Sequence, residues 1–268
     1  MKAIVLARGK GTRMQRPDPA AGADAGQERM ASAGLKAMIP FRRPFLDYIL
    51  SALADAGSDD VCLVIGPGHD LVRDYYSRVS PPARVRVKFA VQVEARGTAD
   101  ALLSAESFAG RDDFIVLNAD NYYPADVFRG LAAIDGPGLP VFRRSSLIAL
   151  SNIDAVRVRS YAVLQIAPDG RLTNIIEKPD ATTFSDHGED PFISMNCWRF
   201  GPSIFTACRT ITPSARGELE LPEAVRYAVT VMGERMLTFP IEAAVLDLSQ
   251  RGDIAEVERR LAHVDPRP

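Results

Sequence analysis

Residues 6–14 read LARGKGTRM and follow directly on the apolar run Ala3-Ile4-Val5. A short apolar run of this kind is a buried strand, and here it opens into two glycines interleaved with Arg8, Lys10 and Arg13. Glycine lets backbone N–H groups come close to an anion, and the cations favour one. The stretch therefore reads as a strand followed by a phosphate-binding turn. Two better-known loops do not fit it. The dinucleotide fingerprint needs a third glycine where Met14 stands, and the P-loop needs a Lys-Ser/Thr pair after its last glycine. Taken alone, Gly9-x-Gly11 is equally compatible with an ordinary surface turn.

Working outward, "VCLVIG" (61–66), "RVKFAVQ" (86–92) and "FIVLNAD" (114–120) are further continuous apolar runs. Parallel strands covered on both faces have this character. Helical periodicity lies between them at 43–57, 69–79 and 97–108, with Gly57 placed to cap the first and Thr98 to cap the last. Strands alternating with helices predict an α/β fold. Residues 154–180 read instead as strand, Pro-Asp-Gly turn and strand, a hairpin that extends the sheet. Helices are expected at 202–211, 220–232 and 253–264. No internal repeat or linker is visible, so one domain is expected over 1–268, with halves at about 1–135 and 136–268.

The 268 residues are 47% hydrophobic and 25% charged, with a net charge of −2. That balance points to a globular chain and away from nucleic-acid or membrane partners. Three scattered cysteines exclude a disulfide framework and a structural zinc site. No window reaches the length of a membrane span, and the default expectation is a cytoplasmic protein.

Three further segments carry chemistry. Lys36 precedes the run Ala37-Met38-Ile39-Pro40; "VQVEARGTADAL" (91–102) passes from strand to helix through Gly97; and the fourth strand ends at Asp120. Side chains at the carboxyl ends of parallel strands point into the crevice where α/β proteins bind ligands. With these residues the chain resembles the sugar-phosphate nucleotidylyltransferases, the NDP-sugar pyrophosphorylase superfamily. The family's opening pattern is matched by Leu6 through Met14, its lysine segment by Lys36 to Pro40 and, loosely, Arg43-Pro44, and its Q…GTA segment by Gln92 and Gly97-Thr98-Ala99. Asp120, Glu177-Lys178-Pro179, Arg216-Gly217-Glu218-Leu219, and Asp247-Leu248-Ser249 with Asp253 follow in family order.

The resemblance implies a Rossmann-like, mostly parallel mixed sheet flanked by helices, without a β-helix domain. It implies Mg²⁺-dependent transfer of a nucleotidyl group from an NTP to a sugar 1-phosphate. Arg13, Lys36 and Lys178 would be the catalytic cations. Leu6, Ala7, Gly9, Gly11, Thr12, Gln92, Gly97 and Thr98 would hold the nucleotide, with UTP or dTTP favoured because an amide at Gln92 suits the N3–H and O4 edge of the base. "RGTADA" nevertheless also resembles the ADP-glucose-forming branch. Asn118, Glu177, Lys178, Asn196, Arg216 and Glu218 would meet the sugar phosphate, and Asp120 and Asp247 the metal. A monomer or homodimer is expected.

Each carried-over residue has a plainer reading: Glu177-Lys178 as a solvated pair, Asp247 as a helix cap, Arg216 and Glu218 as a helix-start charge cluster. Trp198 reads as core or sugar-pocket lining, and the three histidines receive no chemistry. Three departures also stand out. Arg8 replaces a small residue of the family pattern. The stretch between Arg13 and Lys36 is longer than the pattern and rich in Ala and Gly, which predicts a mobile flap over residues 17–35. "SMNCWRF" (194–200) places Ser194 and Asn196 where the pattern is N-x-G, pointing to an unusual acceptor. Two alternatives therefore stay open: a catalytically silent nucleotide- or sugar-phosphate-binding regulator, and a cytidylyltransferase acting on a non-sugar phosphate.

Overall fold

A computed structural model describes residues 1–18 and 21–268. Its strands are β1 (Lys2–Leu6), β2 (Pro40–Phe41), β3 (Arg43–Pro44), β4 (Asp60–Ile65), β5 (Arg86–Val91), β6 (Phe114–Asn118), β7 (Asn121–Tyr122), β8 (Gly138–Arg143), β9 (Ala162–Ile166), β10 (Leu172–Ile176), β11 (Phe192–Ser194), β12 (Cys197–Phe200), β13 (Leu237–Pro240) and β14 (Leu246–Asp247). Ten form one mixed sheet in the order β10-β9-β11-β8-β12-β6-β1-β4-β5, with β13 paired to β8. β6, β1, β4 and β5 are parallel, whereas β12, β8, β11, β9 and β10 pair antiparallel.

The four apolar runs explain the parallel half. β1, β4 and β6 are buried almost end to end, and β5, the edge strand, is not. Leu6 pairs with Val64 on one side and Asn118 on the other. The carboxyl ends of the three strands thus finish level, and the chain leaves all of them at one edge of the sheet. The predicted hairpin is β9–β10, closed by Gly170 at φ +80°. Residues 157–160, read as strand, form a short 3₁₀ turn.

Within the stretch 17–35, expected to be a mobile flap, residues Ala25–Ser32 form helix α1. Asp24 caps it by accepting from the N–H groups of Gly26 and Gln27, and the Gln27 side chain accepts from the Asp24 N–H in return. Pro19 and Ala20 of that stretch lie outside the described residues. Helix α2 (Phe45–Asp55) buries every residue from Phe45 to Leu53, more than the single stripe its periodicity implied. Buried Asp47 is compensated by Arg43 at 2.5 Å and the Tyr76 hydroxyl at 2.8 Å. Arg43 thus compensates a carboxylate buried in the core. Gly57 ends the helix at φ +83°, with Ser58 N–H donating to Leu53 O.

Elsewhere helices break where the pattern did not show it. The 97–108 helix divides into Thr98–Leu103 and Glu106–Ala109, and that expected at 69–79 becomes Asp70–Asp74 followed by a π turn. Apolar cores fill both faces of the sheet. Trp198 is fully buried and stacked on Phe200 at 5.8 Å, which decides for core over pocket lining. Cys62, Cys197 and Cys208 are buried and unpaired, with burial pushing the Cys62 thiol up to about 12. Among the described residues no helix is long and apolar enough to cross a membrane.

Candidate active site

The level strand ends open onto a cavity of about 560 Å³. All eight residues expected to hold a nucleotide line it: Leu6, Ala7, Gly9, Gly11, Thr12, Gln92, Gly97 and Thr98. Their backbones explain the glycines. Gly11 lies at φ +62°, and a Cβ there would sit 2.5 Å from the Gly34 carbonyl oxygen. Gly97 lies at φ +114° against the backbone of Leu219. Leu219 N–H donates to Arg96 O at 2.7 Å, and Ala99 N–H donates to Leu219 O at 2.9 Å. The RGTA and RGEL segments are thereby bound to one another, which no spacing in the sequence could state.

Two expectations in this group are corrected. Gly97, not Thr98, is the N-cap of its helix; Thr98 Oγ1 accepts from Leu221 N–H at 2.8 Å instead. Gln92 was expected to offer both a donor and an acceptor. Its amide NH₂ is engaged by Gly97 O at 3.0 Å and by Asp100 Oδ2 at 2.8 Å, so the oxygen is the end left for a ligand.

Asn118, at the end of β6, and Glu177, Asn196, Arg216 and Glu218, from the opposite half, also reach the cavity. Burial raises the Glu177 carboxyl above its ordinary value, with Lys178 opposing the rise. Lys178 (φ +47°) and Asn196 (φ +60°) occupy the left-handed region, which is strained for side-chain-bearing residues. Arg216 donates to Glu220 Oε1 at 2.6 Å. Glu220, which sequence reasoning passed over, lines the cavity too and is buried apart from that edge. Its only signal was the run of charges after Arg216.

Not every expected residue lines the wall. Arg13 is exposed on the turn beyond Thr12, because its neighbour Met14 is driven fully into the core. Lys178 is also exposed and stands outside the lining, its ammonium 3.7 Å from Glu177. Conversely, Arg8 and His69 do line the cavity. His69 follows the end of β4, and its position beside β1 was invisible without the sheet order.

Asp120 and Asp247 are brought together by the β7–β14 pair, in which Asp247 faces Asn121 and Leu248 N–H donates to Asp120 O at 2.8 Å. Asp247 is no helix cap. Asp120 lines the cavity and accepts from Lys36 Nζ at 2.5 Å. Asp247 lies behind it, accepting from Ser249 Oγ at 2.5 Å and from the Tyr161 hydroxyl, and ion-paired with Arg157 at 3.0 Å. Burial raises the Asp247 carboxyl, Asp120 adds to the rise and Arg157 opposes it. Arg157 and Tyr161 had no signal in the sequence: Arg157 opens the 3₁₀ turn read as strand, and Tyr161 follows it. The described residues hold no cluster of three or more His, Cys, Asp or Glu side chains able to bind a metal alone. Two adjacent carboxylates, completed by phosphate oxygens and water, are the donor set Mg²⁺ takes at phosphate sites. The residues present fit that ion.

Comparison with known proteins identifies the family. The sequence profile of the nucleotidyl transferase family matches residues 30–261. A glucose-1-phosphate thymidylyltransferase of Streptomyces griseus is 28% identical over 97% of this chain, which spans 65% of that relative's length. UTP–glucose-1-phosphate uridylyltransferase AglF of Haloferax volcanii is 27% identical over 97% of this chain and 96% of its own. A crystal structure of UDP-glucose pyrophosphorylase complexed with UDP-glucose superposes with a TM-score of 0.75 over 97% of this chain and 98% of its own, at 17% identity, and shares the fold. With the glycine-rich strand end, the paired aspartates and a profile match across most of its length, the chain belongs to the nucleotidyl transferase family.

Proposed function

We propose that this protein transfers a nucleotidyl group from an NTP, with UTP or dTTP favoured, to a sugar 1-phosphate, giving an NDP-sugar and pyrophosphate. The observation that supports it most is the convergence on one cavity of the glycine loop, the Lys36–Asp120 pair, and Glu177 with Arg216 from the other half of the chain. A phosphate oxygen of the sugar phosphate attacks the α-phosphorus while the bond to the β-phosphate's bridging oxygen breaks. Such a step needs in-line placement and compensation of spreading negative charge more than covalent help.

The chain's residues divide that work. Residues about 1–135 hold the nucleotide, with backbone N–H groups of Gly9 to Thr12 on its phosphates and Arg13 at the rim. Residues about 136–268 hold the acceptor, with Glu177 accepting from sugar hydroxyls and Lys178 and Arg216 facing its phosphate. Asn118, Asn196 and Glu218 complete the pocket. Lys36, already fixed by Asp120, places its ammonium where charge develops near the α-phosphate and leaving group. Mg²⁺, held by Asp120 and Asp247, would supply further charge neutralisation when bound. The protein would work in the cytoplasm, as a monomer or homodimer.

The test is pyrophosphate release across a grid of five NTPs and a panel of sugar 1-phosphates with Mg²⁺. Release is expected only when one nucleotide and one sugar phosphate are present together. Asp120→Ala should lower the rate by about 10²-fold or more while far-UV circular dichroism stays unchanged. Wild-type turnover by that variant would overturn the assignment.

A further inference from the structure

Asp247 is the less accessible member of the aspartate pair, and a single connection of the chain holds it. Residues 151–161, which lead into β9, reach residues 245–247 through several side chains. Ser151 Oγ accepts from Val245 N–H at 3.0 Å. The Asn152 amide accepts from Asp247 N–H and donates to Asp247 O, both at 2.8 Å. The Tyr161 hydroxyl donates to Asp247 Oδ2, and Arg157 Nη2 lies 3.0 Å from the same oxygen.

Arg157 is itself anchored. It is bidentate to Asp253, with Nη1 donating to Oδ1 at 2.6 Å and Nη2 to Oδ2 at 3.0 Å. Asp253 Oδ2 also accepts from Ser249 N–H and Gln250 N–H, each at 2.8 Å. The guanidinium therefore bridges two buried carboxylates, and among the described residues it is the only cation paired with Asp247. A planar guanidinium fixes two carboxylates in a defined relation, which a point-like ammonium does not. Oδ2 of Asp247 carries the Tyr161 hydrogen bond and the Arg157 ion pair, whereas Oδ1 takes a hydrogen bond from Ser249 alone. Each carboxylate oxygen has two lone pairs, so Oδ1 keeps an acceptor position.

We infer that Arg157, anchored by Asp253, is a positioning residue: it fixes the Asp247 carboxylate beside Asp120, and the affinity of the aspartate pair for Mg²⁺ depends on that hold. The inference rests on the metal role given to the two aspartates in the function proposed above. Arg157 and Asp253 together carry no net charge, so the pair orients Asp247 without opposing a divalent cation. Partners of this kind behind a metal ligand account for about 10–100-fold in metal affinity.

Titration of the full chain with Mn²⁺ in place of Mg²⁺, with free Mn²⁺ read by electron paramagnetic resonance, measures that affinity without turnover. Arg157→Gln should weaken Mn²⁺ binding by about 10–100-fold, and Tyr161→Phe, which removes one donor to the same oxygen and no charge, by less. Asp253→Asn should weaken it too, and adding Asp253→Asn to Arg157→Gln should cost little more, since the two residues act as one unit. Arg157→Lys, which keeps the charge and loses the fork, should fall between the wild type and Arg157→Gln. Wild-type Mn²⁺ affinity in a folded Arg157→Gln variant would overturn the inference and confine Arg157 to packing. Tighter binding would overturn it as well, because Arg157 would then compete with the metal. If Arg157→Gln does not fold, unchanged binding in both Tyr161→Phe and Arg157→Lys is the overturning result. No Mn²⁺ binding by the wild type would sink the inference and the metal role together. Weakened Mn²⁺ binding in the variants, with no pyrophosphate release by the wild type across the nucleotide and sugar-phosphate panel, would uphold the inference and sink the transferase reading. Release that requires Mn²⁺, with Mn²⁺ affinity unmoved by any of these substitutions, would sink only the inference.

Discussion

Glu177 illustrates how much a single side chain's role depends on where the fold puts it. In the sequence it is one member of an Glu-Lys pair of ordinary appearance. In the structure it lines the cavity, largely removed from water, and burial raises its carboxyl above the usual 4.5 despite Lys178 and Arg216 nearby. A raised carboxyl means that the ionised form is penalised in the folded state. The penalty is complete above the raised value and disappears as pH falls from there to about 4.5. Glu177→Gln should therefore melt at higher temperature than the wild type at neutral pH and converge with it in acid. Thermal melts from pH 4 to 8 check this, and identical curves throughout would mean that Glu177 is solvated. Gly97 makes the complementary case: its positive φ and the adjoining Leu219 backbone leave no space for a side chain, so its identity follows from packing as much as from a ligand.

At the scale of elements, α1 is the feature least expected from composition. Arg251 binds it to the glycine loop. The guanidinium donates to Met14 O at 2.9 Å, to Ser32 Oγ at 2.9 Å and to Glu28, and it is almost entirely buried. One side chain from the 3₁₀ turn Arg251–Asp253 thus joins the end of the signature loop to the helix that precedes Lys36. Arg251→Met keeps the apolar stem but leaves the Met14 carbonyl without its donor. A loss of roughly 1–3 kcal/mol in urea denaturation is expected. Because the clamp sits beyond the cavity, KM for the nucleotide should rise as well; a stability loss with unchanged KM would confine Arg251 to a packing role.

For the whole molecule, the site belongs to neither half. The parallel strands supply the loop, Lys36 and Asp120; the antiparallel half and the C-terminal segment supply Glu177, Arg216 and Asp247. A ligand bound between them stabilises the folded state by mass action. Nucleotide with Mg²⁺ at 100 times its Kd should add about 2.7 kcal/mol to the unfolding free energy. EDTA should abolish turnover and much of that gain, and excess Mg²⁺ should restore both. Calorimetry with and without chelator measures the effect; a gain untouched by EDTA would remove the metal from the binding step.

The sequence by itself determined the α/β class, the four parallel strands and the loop that follows the first. Continuous apolar runs and glycines at special backbone positions are local signals, and they survive in one dimension. It also carried Lys36, Asp120 and Glu177, whose motifs occur in order. The tertiary structure alone decided which of those residues meet. Register sets β1, β4 and β6 level and so brings Arg8 and His69 to the cavity, while the β7–β14 pair sets Asp247 behind Asp120. Arg157, on a turn read as strand, Tyr161 just after it, and the lock on Gln92 by Asp100 depend on side-chain directions that no spacing encodes. Arg13 and Lys178 remained at the exposed margin for the same reason: a motif specifies a residue's place along the chain, and packing specifies where its side chain goes.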